Sequence, residues 1–76
     1  MNKYRRRRIE DVRSQLEDLQ SEIEEIKDEE QDYLDNIPEN LQSSDRYYNA
    51  EAAVEALEAA YDSIGEAIDS LDTAAE

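Results

Sequence analysis

The chain has no cysteine, histidine, tryptophan or phenylalanine, and only one glycine and one proline in 76 residues. Without cysteine there is no disulfide framework and no thiolate chemistry. Without histidine as well, the imidazole and thiolate ligand sets of structural zinc are excluded. The Glu-x-x-His pairs of di-iron helical bundles are excluded on the same ground. No apolar run approaches the roughly 18 residues of a membrane span. The first residues carry arginines instead of the apolar stretch of a signal peptide, so a cytoplasmic protein is expected. One glycine and one proline leave almost the whole chain free of helix breakers.

Positive charge is scarce and confined. The net charge is −14, and Lys3 with Arg5, Arg6, Arg7 and Arg8 hold five of the eight basic residues. The 68 residues after Arg8 therefore sum to −19. Such a body repels nucleic acid and anionic lipid, so neither is an expected partner. A basic protein surface is.

What the chain does have is heptads. Ile9, Val12, Leu16, Leu19, Ile23, Ile26, Glu30, Tyr33 and Ile37 recur at alternating spacings of three and four, as do Tyr47, Ala50, Val54, Leu57, Tyr61, Ile64, Ile68, Leu71 and Ala75. This is the period of helices that pack along a seam. Ile37 precedes Pro38, which pushes it out of helical geometry. Ser44 can accept an orphan backbone N–H as an N-cap, with Asn49 as the alternative if Tyr47 and Tyr48 precede the helix. The expectation is an all-α fold, an antiparallel two-helix coiled-coil hairpin, with helices over 3–35 and 45–74 and a connector over 36–44. Tyr47 is expected to plug the connector end and Tyr48 to be exposed.

With Ile9 as heptad position a, the e positions are Arg6, Arg13, Gln20 and Lys27 on the first helix and Glu51, Glu58, Gly65 and Asp72 on the second. An antiparallel pair sets e against e. One register places Arg6 by Asp72, Arg13 by Gly65, Gln20 by Glu58 and Lys27 by Glu51; it also pairs Tyr33 with Tyr47 and Glu30 with Ala50. The register shifted by one heptad pairs Arg13 with Asp72 and Lys27 with Glu58.

Two further rows stand out. Ala53, Ala60, Ala67 and Ala74 share position g of the second helix. Its apolar face is then wider than one neighbour covers, and two helices of this size bury a meagre core. Self-association along this row is expected, two hairpins making a four-helix bundle. Carboxylates form the other rows. Glu10, Glu17 and Glu24 fall on b of the first helix, with Asp11, Asp18, Glu25 and Asp32 on c. Glu55, Asp62 and Asp69 fall on b of the second. These straight rows can engage a basic protein groove in loose imitation of a phosphate backbone. A rod lacks the concave pocket that paired catalytic carboxylates need, so neither catalysis nor a cofactor is expected. Tyr4, Arg5, Arg7 and Arg8 are candidate contacts for an anion; Tyr48 is a candidate protein contact. The antiparallel hairpin is expected to set the arginine run beside Asp69, Asp72 and Glu76.

The segment Asp28–Tyr47 contains Asn36-Ile37-Pro38-Glu39-Asn40-Leu41-Gln42 followed by Ser44-Asp45-Arg46. It resembles the connector of small acidic helical-hairpin proteins of phages and prophages. The resemblance covers most of residues 9–72 and does not extend to the arginine run. It implies no activity. It does imply a phage context, host bacterial cytoplasm, and a role such as blocking a host nuclease or a nucleic-acid-binding defence protein. The alternatives are an assembly coiled coil, or a sponge that cups an anionic ligand with the N-terminal arginines.

Overall fold

The computed structural model describes residues 1–76 and contains two long helices, α1 (Lys3–Asp35) and α2 (Asp45–Ala74). Asn2 caps α1, its Oδ1 accepting from the Arg5 N–H at 2.8 Å. At the other end the Asn36 N–H returns to the Asp32 carbonyl and its side-chain amide donates to the same oxygen at 2.7 Å. Pro38 then allows no further α-helical turn. A single 3-10 turn, Glu39–Leu41, reverses the chain. Ser44 caps α2: its Oγ donates to the Leu41 carbonyl and accepts from the Tyr47 N–H. One hydroxyl thus ties the turn to the helix start.

The helices pack antiparallel into a rod of 60 × 15 × 13 Å. The hairpin register is the heptad-shifted one. Arg13 pairs with Asp72 and Lys27 with Glu58, residue numbers that add to 85 in both cases. Gln20 is level with Gly65, where a Cβ would stand 3.2 Å from the Gln20 Nε2. That amide donates to the Tyr61 carbonyl at 3.2 Å. Gly65 therefore makes room for Gln20, not for Arg13. Tyr33 does not meet Tyr47: it is 41 % exposed, with the Arg46 guanidinium 5.7 Å above its ring. Tyr47 instead packs on the buried cluster of Leu34, Ile37, Ala50 and Val54, and its ring stands edge-on to Tyr48.

The shift has a physical reason. Leu34 lies at position e, outside the a and d stripe, and is buried with Ile37 beneath the connector. Burying both turns α1 so that its a and e rows face α2. Ile9, Arg13, Leu16, Gln20, Ile23, Lys27, Glu30 and Leu34 are all buried or half-buried. The stems of Arg13, Gln20 and Lys27 cover apolar surface while their ends reach polar partners. The d row turns outward in compensation: Val12, Leu19, Ile26 and Tyr33 are 47, 51, 45 and 41 % exposed.

Paired cysteines test the register. Gln20→Cys with Gly65→Cys should be bridged within one chain by a short bis-electrophile. Gln20→Cys with Glu58→Cys, offset by ~10.5 Å of helix, should not. Bridging of the second pair in preference to the first would restore the unshifted register.

Candidate functional site

The e seam organises the charged face. Arg13 lies between three carboxylates. It hydrogen-bonds Asp72 and Glu17, and Asp69 is near enough to act on it electrostatically. The Asp72 hydrogen bond chiefly, then the charges of Asp72, Glu17 and Asp69, hold its guanidinium above the usual arginine value against partial desolvation. Lys27 repeats the arrangement, about 21 Å away by helical rise. Its ammonium is 3.8 Å from Glu58 and 3.9 Å from Asp28. Glu24, Lys27, Glu58, Tyr61 and Asp62 line a shallow open cleft there. Each cation is outnumbered, so both clusters stay net negative.

This geometry sorts the acidic residues. Position b lies about 80° from the packed edge of α1, on the side of e. The e-to-e contact puts the b row of α2 on that same side. Glu10, Glu17 and Glu24 therefore share one face with Glu55, Asp62 and Asp69. Across the seam the register sets Glu17 level with Asp69 and Glu24 with Asp62, with Glu10 and Glu55 on the same face toward either end. Asp11, Asp18, Glu25 and Asp32, at position c, point to the back of α1 and stay apart from them. All ten are exposed. No group of three or more carboxylates converges closely enough to hold a metal ion, and no helix is long and apolar enough to cross a membrane.

The arginine run makes no ion pair with Asp69, Asp72 or Glu76. Asp72 is taken by Arg13, so only Thr73–Glu76 lie beyond that pair on α2, while Met1–Val12 lie beyond it on α1. The heptad shift leaves the start of α1 overhanging. None of Lys3 and Arg5–Arg8 forms an ion pair. Arg8 instead sits 5.5 Å from the centre of the Tyr4 ring, and Tyr4 is 70 % exposed. Of the alanine row, Ala53 and Ala60 are half-buried and Ala67 and Ala74 exposed. Tyr48 is exposed. Sequence reasoning missed the outward d row of α1. The signal for it was Leu34, an apolar residue one position beyond the stripe.

Lys27→Glu should lower the melting temperature at low salt by adding a fifth carboxylate to Glu24, Asp28, Glu58 and Asp62. The loss should shrink as salt is raised and screening shortens to a few ångströms. A loss independent of salt would instead assign Lys27 a packing role.

No family model, curated protein or solved structure matches the chain.

Proposed function

We propose that this protein is a non-catalytic binding module that covers a basic surface of another protein with its e and b face. The carrying observation is the union of two carboxylate rows, one from each helix, on one side of a rod. Glu17 and Asp69 flank Arg13, and Glu24 and Asp62 flank Lys27. A body of charge −19 steers such an encounter from a distance. Two parallel lines of negative charge along a narrow rod suit a groove built for a nucleic-acid backbone. The connector's resemblance to phage proteins supports a host nuclease or nucleic-acid-binding defence protein as the class of target.

The two acidic surfaces are separable. Capture of basic proteins from host lysate should fall steeply between low and high salt. Reversing Glu17, Glu24, Asp62 and Asp69 to lysine should abolish it. Reversing Asp11, Asp18, Glu25 and Asp32 changes the net charge equally but should leave most of the capture. Equal loss from both sets would mean that overall charge, not this face, makes the contact. Capture that survives both sets would sink the proposal.

A further inference from the structure

The side of the rod opposite the charged face is apolar and uncovered. Four of the eight large hydrophobics exposed in the molecule are a single heptad row, Val12, Leu19, Ile26 and Tyr33. Position d lies on the flank of α1 away from e, and g lies on the matching flank of α2. The alanine row of α2 therefore continues the surface, Ala67 level with Leu19 and Ala60 with Ile26. Large side chains on one helix and small ones on the other give a face with relief, which close packing requires.

We infer that this face is covered by a second copy of the same chain, packed antiparallel, to complete a four-helix bundle. Three observations favour a second copy over a foreign partner. The first is area. A compact chain of this mass exposes about 4,800 Å² by the scaling of surface with mass. This one exposes 5780 Å² and buries only five residues. The excess, ~1,000 Å², slightly exceeds the ~800 Å² that each partner contributes to a standard interface.

The second is self-complementarity. A two-fold axis across the rod sets α1 against α1 and α2 against α2, each pair antiparallel. Leu19 is the midpoint of α1 and lies midway between Val12 and Ile26. Centred there, Leu19 meets itself and Val12 meets Ile26 of the second copy. On α2 the same axis brings Ala67 to Ala67 and Ala60 to Ala74, so the small row packs on itself.

The third is charge. The antiparallel arrangement carries the overhanging, unpaired arginines to the connector end of the second copy, where Asp28, Glu29, Asp32 and Asp45 lie. Arg8 comes within one residue of the level of Glu29, which shares its heptad position g, and Arg5 becomes level with Tyr33, the ring that Arg46 already covers on its own chain. A parallel arrangement would set the two arginine runs together. The bundle leaves both charged faces outward, so it is compatible with the proposed binding role without depending on it.

Sedimentation equilibrium at micromolar loading should give twice the chain mass of 8.8 kDa. Leu19→Glu, which changes a side chain exposed in the single hairpin, should give the monomer mass, with far-UV circular dichroism reporting its helix content. Asp18→Asn, on the back of α1, should leave the dimer intact. Arg8→Glu should raise the dimer Kd about tenfold, from two exposed pairs made repulsive. Adding Glu29→Arg should restore it. Spin labels on Ser43→Cys should lie about 70 Å apart, from ~1.5 Å per residue on either side of the axis through Leu19 and Ala67. A monomeric wild-type chain, a dimer indifferent to Leu19→Glu, or labels at side-by-side distance would each overturn the inference.

Discussion

The structure depends on what happens beneath the connector. Leu34 and Ile37 at the end of α1, with Ala50 and Val54 at the start of α2, form the main buried cluster of the hairpin. Pro38 closes α1 and Ser44 opens α2, so the length of chain between those helices is fixed. A tight turn of fixed length, with apolar residues on both sides, permits one rotation of each helix about its axis. Because Leu34 must face inward, every residue seven positions earlier on α1 faces inward with it. Lys27, Gln20 and Arg13 are those residues. The long polar side chains along the seam thus owe their burial to an apolar one at its end.

That rotation gives the rod two unlike sides. On one, the e positions meet and their cations are held by more carboxylates than they can neutralise. The six b carboxylates border this ladder and the side is uniformly wet and negative. On the other, the d row of α1 and the g row of α2 are left without a neighbour. A helix offers a bounded arc to packing, and turning more of it toward e necessarily withdraws d. The acidic face and the apolar face are therefore two consequences of one rotation. The same register decides the fate of the arginines. With Asp72 committed to Arg13, α2 ends early and the arginines at the start of α1 are left without an ion-pair partner.

Much of the fold was legible in the residues. Heptads, a lone proline and a serine before a charged turn indicate a hairpin of two helices, and Ser44 does cap the second. Tyr47 and Tyr48 could be told apart by position. The register could not be settled in advance, because a shift of seven residues returns apolar to apolar and basic to acidic, and both registers satisfy the seam. Nor could the rows be assigned to sides. Ten carboxylates in straight lines are equally regular whether or not they share a side of the rod, and only six of them do. The outward turn of Val12, Leu19, Ile26 and Tyr33 was hidden for a related reason: periodicity reports that a stripe exists, not which of its edges is covered.

The sequence by itself therefore determined the local elements, since helix propensity, capping and the proline boundary act over a few residues and need no partner. It also determined that the chain would be acidic with one basic end. The tertiary structure decided register and rotation, and through them which charges are paired, which carboxylates share a face and which apolar row is left bare. Those are properties of two helices in contact. Neither helix encodes them alone, because the heptad repeat makes each helix compatible with its neighbour in several positions, and only the packing of Leu34 and Ile37 under the turn selects among them.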